Sequence, residues 1–235
     1  MAATPPQAPA SQTLSRGIRI LEVLADERGP LTIDDVAARL RVHRSVAYRL
    51  LRTLEEHGLV SRDSGGRVQL GTGLAALAAG VAHDLQAEAL PELTVVANEL
   101  GATSFLAVLD HDECVTLVSV EPRHAINPVA QRPGTRHLVT RGAPGKAILT
   151  QLGAPSRPRL PSALAEELDI AAARGYATSH DEVIPTLRSV AVPLVLRGRA
   201  PAAIAVVFVA SSHDDDAIAA RLTHAAEAVR EALGG

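Results

Sequence analysis

The sequence predicts a mixed α/β (α+β) chain in two parts. An N-terminal winged helix-turn-helix comes first, followed by a larger C-terminal domain on a mostly antiparallel sheet. Three observations carry this. Residues 32–57, TIDDVAARLRVHRSVAYRLLRTLEEH, read as two short helices around a tight turn. After residue 100, β-rich runs pair across short polar turns, with helical stretches between the pairs. Charge also divides along the chain: residues 14–75 carry 10 arginines against 8 acids, whereas residues 76–235 carry 13 basic against 18 acidic residues. A basic head on an acidic body suits a nucleic-acid-reading module joined to a separate domain.

Composition sets the outer bounds. A chain of 235 residues implies about two domains. Hydrophobic residues make up 47% and aromatics 2%, so real cores form, built from Leu, Val, Ile and Ala. No apolar run reaches membrane-spanning length and no signal peptide is visible, so a soluble, cytoplasmic chain with no membrane partner is expected. The single cysteine, Cys114, excludes an internal disulfide framework and a Cys-rich zinc site. The basic residues are 22 arginines and one lysine, Lys146. No metal or cofactor is expected.

Residues 1–12 are Pro/Ala-rich and expected to form a disordered arm. The DNA-binding domain is expected over 13–71. A first helix from about Ser15 to Asp26 should pack Ile18, Leu21 and Leu24, and Gly29–Pro30 ends it. Thr32 followed by Asp35 resembles a capping box, which starts the next helix at Ile33. The turn falls at Arg41–Val42–His43, and a second helix runs from about Arg44 to His57 and stops at Gly58, which suits the left-handed position after a helix. Val46, Leu50 and Leu54, with Ala47 and Leu51, should face the core.

Ser45, Tyr48, Arg49 and Arg52 repeat at helical spacing on the opposite face of that helix. Between Ala37 and Leu54 there are five arginines and no acid. A one-sided cationic face of this kind fits a helix laid in the major groove. Two short strands follow, joined by Asp63–Ser64–Gly65–Gly66 as a hairpin wing. The candidate DNA contacts are Arg41, His43, Arg44, Ser45, Tyr48, Arg49 and Arg52, with Arg62 and Arg67 on the wing. Tyr48 and Arg49 are expected at base edges, and Arg44, Arg52 and Arg67 at phosphate.

Residues 72–84 read as a small-residue linker helix whose low polarity implies burial. The second domain is expected over 85–235. Pro91 should start a helix that ends at Gly101. Residues 103–109 and 114–120 form a hairpin across Asp110–Glu113. The DHDEC stretch is a polar turn rather than a metal site, because consecutive residues cannot all point at one ion. Residues 121–140 show no clear period beyond a short strand near Ile126–Val129. RGAPGKAIL lacks the spacing and the hydroxyl of a nucleotide-binding loop, yet a loop entering a helix can hold an anion through its N–H groups. A helix over 162–174, strands near 176–179, 187–195 and 202–209, and a terminal helix from about Asp215 complete the domain.

The order of these elements resembles the IclR family of bacterial transcription regulators. SRGIRILEVLAD resembles its opening helix, RVHRSVAYRLLRTLEEHGLVSRD its recognition helix and first wing strand, and GGRVQLG the second wing strand. GAPGKAIL, RGYATSHDE and LRSVAVPL resemble stretches of its effector domain. The resemblance covers about residues 14–233. It implies a GAF-like effector-binding domain, homodimers or homotetramers, a pseudo-palindromic double-stranded operator and a small organic effector. It also implies effector contacts at Gly142 and Ala143 through the backbone, at Ser189, and at Ser179, Ala205 and Val207. At Ser179 carboxylate-binding members often have an acid, and at Ala205 and Val207 they have serines. With Phe105 and Asn127 these residues predict a mostly apolar pocket for an amphipathic or aromatic ligand.

The predicted function is therefore a sequence-specific DNA-binding regulator whose operator binding responds to an effector. The alternative is a regulator whose C-terminal domain only oligomerises and binds none. An enzyme is not expected. His111, His124, His137 and Lys146 form no visible nucleophile–base–orienter set.

Overall fold

A computed structural model describes residues 11–27, 29–124, 129, 131–153, 160–209 and 214–234. The chain divides into two units, Met1–Val81 and Ala82–Gly235. Most of the expected N-terminal arm, residues 1–10, lies outside the described residues.

The first unit holds three helices and a two-stranded wing. Helix α1, Gln12–Asp26, begins earlier than expected, because the Ser11 hydroxyl accepts the Leu14 N–H. Its core side is Ile20 and Leu24. Ile18 was expected inside but is 48% exposed, on the same side as Leu14. Helix α2, Ile33–Leu40, starts in a complete capping box: Thr32 Oγ1 accepts the Asp35 N–H at 3.1 Å, and the Asp35 carboxylate accepts the Thr32 N–H at 3.0 Å. The Thr32 side-chain hydrogen bond, then its backbone one, hold the Asp35 carboxyl below its usual range. The helix ends at Arg41 in the left-handed region, φ 54°.

Helix α3, Arg44–Glu56, is followed by Gly58 at φ 69°. Its buried centre is Ala47 and Leu51; Val46, Leu50 and Leu54 flank it half-buried. The stripe is thus centred one residue further round the helix than the sequence reading put it. Strands β1, Val60–Arg62, and β2, Val68–Leu70, pair antiparallel. Asp63 Oδ1 ties their turn by accepting from Gly65 and Arg67 N–H at 2.9 Å each.

The expected helix over 72–84 is not continuous. Helix α4 covers only Gly73–Ala78 and buries nothing within the chain, with Leu77 64% exposed. Ala82, at φ 44°, separates it from the next helix.

In the second unit, α5, His83–Leu100, runs straight through Pro91 instead of starting there. An interior proline removes one helix hydrogen bond. The buried stripe Leu85, Ala89, Leu93, Val96 and Ala97 continues across it, and packing decides the outcome. Strands β3, Thr103–Asp110, and β4, Glu113–Val120, form the expected hairpin, and Arg136 pairs with Asp110 and Glu113 at its turn. A short strand β5, Arg136–Leu138, lies where no period was legible. Of the strand expected near 126–129, residues 126–128 lie outside the described residues.

Helices α6, Ala143–Thr150, and α7, Ser162–Arg174, precede β6, Ala177–His180, β7, Leu187–Leu194, and β8, Ala202–Val209. Helix α8, Asp215–Ala232, is capped by Asp214. The six strands of this unit run in the order β5-β4-β3-β8-β7-β6, every neighbour antiparallel.

Alternation along the strands divides two cores. Leu106, Ile204, Val206 and Phe208 face α5 and α8; Phe105, Ala107, Ala203, Ala205 and Val207 face α6 and α7. Helix α6 sits close against the chain before it: a Cβ on Gly145 would stand 2.2 Å from the Val139 carbonyl oxygen. The Gly142 and Ala143 N–H groups, bonded to Glu182 and Ser179, set the N-terminus of α6 beside β6 and the segment that leaves it.

Candidate functional sites

The outward face of α3 presents Arg44, Ser45, Tyr48, Arg49 and Arg52, all exposed. Several predicted contacts are already engaged within the unit. Arg44 pairs with Asp34 at 2.8 Å, Arg52 with Glu56 at 3.0 Å, Arg62 with Glu55 at 3.0 Å and Arg67 with Asp63 at 2.9 Å. His43 caps the helix, its Nδ1 accepting the Ser45 N–H and lying 2.9 Å from the Ser45 hydroxyl. Among the described residues, Arg41 and Arg49 have no ion-pair partner.

Exposed pairs of this kind contribute about 0–1 kcal/mol each, so exchanging an acid for a phosphate costs little. Arg49 has no ion pair among the described residues to give up. Beside it, Tyr48 is 49% exposed, and the Arg62 guanidinium lies 5.9 Å from its ring centre. The face can therefore offer one free guanidinium and one phenol, surrounded by arginines held in register by weak pairs.

In the second unit a small cavity of about 40 Å³, partly open to solvent, lies between the sheet, α6 and the segment after β6. Its apolar walls are Phe105, Pro144, Val183, Ile184, Leu187 and Val207, and its polar groups are Gln131, His137, Ser179, Glu182 and Ser189. Four predicted residues, Phe105, Ser179, Ser189 and Val207, thus line one space. Ala205 does not: it is fully buried in the core and is not among the residues that line this cavity. Asn127 lies outside the described residues. The Ser189 hydroxyl donates to the Val206 carbonyl at 2.7 Å, so its proton is committed.

Gly142 and Ala143 stand beside the cavity with their N–H groups filled. The Gly142 N–H donates to Glu182 Oε2 at 2.9 Å, and the Ala143 N–H donates to Ser179 Oγ at 3.0 Å. Gly142 takes φ 78°, and a Cβ there would come 2.9 Å from Val183. Both the conformation and the room favour glycine. The lysine of the same loop, Lys146, is 5% exposed and donates to Glu167 and Glu182 at 2.5 Å each. It is a brace.

Glu182, Gln131 and His137 were missed at sequence level. Glu182 stood within RGYATSHDE but carried no spacing that set it apart from Asp181. A larger, open cavity of about 390 Å³ adjoins Ser179 and Glu182 on their other side, where Lys146, Glu167, Arg174 and Arg188 also line it.

Residues 13–64 match the IclR helix-turn-helix domain. The chain is 30% identical to the HTH-type transcriptional regulator BhcR of Paracoccus denitrificans, covering 94% of this chain and 85% of that one. It is 29% identical to the transcriptional repressor IclR of Escherichia coli, covering 99% and 94% respectively. Among solved structures, an IclR homolog from Microbacterium hydrocarbonoxydans complexed with 4-hydroxybenzoate superposes with a TM-score of 0.83. It is 26% identical, over 95% of this chain and 99% of that one.

Proposed function

This chain belongs to the IclR family of DNA-binding transcriptional regulators, and from that premise we propose that a small organic effector held in the second unit modulates its operator binding. The observation that carries the reading is the cavity where Phe105, Val207, Ser179 and Ser189 converge. It combines apolar walls with a few polar groups, the usual make-up of a small-molecule site. A related structure holds 4-hydroxybenzoate, an aromatic ring with a carboxylate at one end and a hydroxyl at the other. The effector proposed here has the same amphipathic character. At about 40 Å³ the cavity holds little more than one water, so an effector of that size reaches beyond it into the open space alongside.

The head reads DNA through α3, with Arg49 and Tyr48 at base edges and Arg44, Arg52, Arg62 and Arg67 at phosphate. Arg41, His43 and Ser45 complete the contact surface. A single helix-turn-helix reads few base pairs, so a homodimer or homotetramer on a pseudo-palindromic operator is proposed. The exposed pair Leu14 and Ile18 on α1 offers the apolar contact. In this reading the cytoplasm is the site of action. No helix among the described residues is long and apolar enough to cross a membrane.

An effector shifts operator affinity only by as much as its own affinity differs between the free and operator-bound states. Thermal unfolding of the full chain with 4-hydroxybenzoate and uncharged phenols tests the proposal, since a ligand of the native state raises the midpoint. Stabilisation together with a changed gel-shift titration is the expected result. A flat response across the panel favours the second reading, in which this unit only oligomerises. The occupied N–H groups of Gly142 and Ala143 speak for that second reading.

A further inference from the structure

The loop that opens α6 already holds a carboxylate, and it belongs to the protein. Glu182 Oε2 accepts the Gly142 N–H, Glu182 Oε1 accepts from Lys146 Nζ, and the Glu182 carbonyl accepts from the Arg141 guanidinium. We infer that Glu182 is an internal ligand of the effector site. By filling the Gly142 amide, it makes the site discriminate against ligands that bind through a carboxylate. The inference rests on the effector reading above and names the ligand class that the resting site disfavours.

The physical argument begins with the donors. The amides at the start of a helix favour negative charge, and they are the groups through which a ligand carboxylate would be held. Here one amide is taken by a carboxylate and its neighbour by the Ser179 hydroxyl, at 2.9 and 3.0 Å. An incoming carboxylate gains no new kind of bond at this place. It exchanges with Glu182 like for like, and until Glu182 leaves, it sits beside a second negative charge. An alcohol, phenol or amide makes no such demand and needs only room.

The segment carrying Glu182 is built to stay in place. Residues 181–186 connect β6 to β7, with Asp181 at φ 60° and Thr186 at φ 70°, an uncommon region for side chains of this kind. The Asp181 carboxylate accepts the Thr186 N–H at 2.5 Å, and the Asp181 N–H donates to the Leu187 carbonyl at 3.0 Å. Those two bonds close the segment on itself. Glu182 then pins it to α6, with Val183 over Gly142. When Glu182 does leave, the larger cavity on its other side gives it space still beside Lys146.

Two variants of the full chain separate occupancy from charge. Glu182→Ala empties the Gly142 amide and leaves Lys146 paired with Glu167, so the lysine is not stranded. Glu182→Gln keeps an acceptor on the amide and removes only the charge. The probes are acetate, 4-hydroxybenzoate and its uncharged counterpart 4-hydroxybenzamide, followed by calorimetry and thermal unfolding. Glu182→Ala is expected to bind the two carboxylates about tenfold more tightly than wild type, the scale of one charge-assisted hydrogen bond, with the amide nearly unchanged. Glu182→Gln should gain clearly less. Equal carboxylate affinity in wild type and Glu182→Ala overturns the inference, as does an equal gain in both variants. Acetate binding by Glu182→Ala with no response to either aromatic compound upholds it and removes the effector reading. Unchanged, strong 4-hydroxybenzoate binding in all three proteins does the reverse. Silence towards every probe in every protein overturns it too, since the emptied Gly142 amide should take acetate.

Discussion

Replacing Lys146 with methionine should destabilise the second unit by about 3 kcal/mol, and the structure shows where the figure comes from. The Lys146 side chain is 6% exposed and bonds two carboxylates at 2.5 Å each. The Glu167 limb is weak, because that carboxylate is 52% exposed and turns to water when the lysine goes. The Glu182 limb is the costly one. Its carboxylate is 28% exposed and lies at the inner end of α6. Removing one partner of a buried ion pair typically costs about 3–5 kcal/mol, and partial exposure brings this case to the lower end. Methionine keeps the stem's volume, so little of the loss reflects a cavity. For a unit of this size the midpoint should fall by roughly 6–12 °C. Differential scanning calorimetry of the full chain, with the transition of this unit resolved, measures it. Lys146→Met/Glu182→Gln should recover about half, because the cost is chiefly a stranded charge. A fall below about 1 kcal/mol, or no recovery in the double variant, refutes the brace.

Arg49→Ala should weaken operator binding by about 1–3 kcal/mol and relax specificity at one position in a gel-shift titration, whereas Arg52→Ala should weaken all sequences alike and flatten the salt dependence. Thr32→Ala removes the cap of α2 and should cost the head about 1 kcal/mol in a urea titration. Ile18→Asp should shift the mass seen by light scattering towards the monomer, with the circular dichroism of the head retained. Asp84 supplies a pH test. The side-chain hydrogen bond from Arg199, then the Leu85 N–H, lower its carboxyl from 3.8 to about 2. A lowered native value means stability present above the unfolded value and lost as pH falls through the native one. Wild type should therefore lose more stability than Asp84→Asn between pH 4 and 2 in acid-unfolding curves.

Local chemistry acting over one helical turn was legible at three places, though the Ser11 cap of α1 was not. The Thr32–Asp35 box, the turn at Arg41 and the stop at Gly58 each depend on residues within four positions, and each appears in the structure as the sequence implied. The interior of α5 was not legible at Pro91, because the decision there belongs to Leu85, Ala89 and Leu93 packing on the sheet and α8. Nor did helical spacing tell that Ile18 faces out, since an exposed apolar residue can fall at the same spacing as one in a core. The α3 stripe was displaced by one residue for a similar reason: five apolar residues cover two adjacent faces, and only the neighbouring helices select Ala47 and Leu51.

The cavity between the sheet and α6 was half legible. Phe105, Ser189 and Val207 lie on strands, where alternation alone assigns the face. Ala205 shares that face and still misses the cavity, because it is buried in the core that α6 packs against β8. Glu182 comes from a segment whose course is set by left-handed residues at Asp181 and Thr186, positions where no glycine announces the turn. One signal was nevertheless present. In a chain with 22 arginines, the single lysine falls at residue 146. An ammonium is a compact point charge, able to stand between two carboxylates that approach from different elements, where a planar guanidinium prefers one of them in a fork. The lone lysine therefore pointed to a brace with two acids, and Glu167 and Glu182, 21 and 36 residues further on, are the acids it holds.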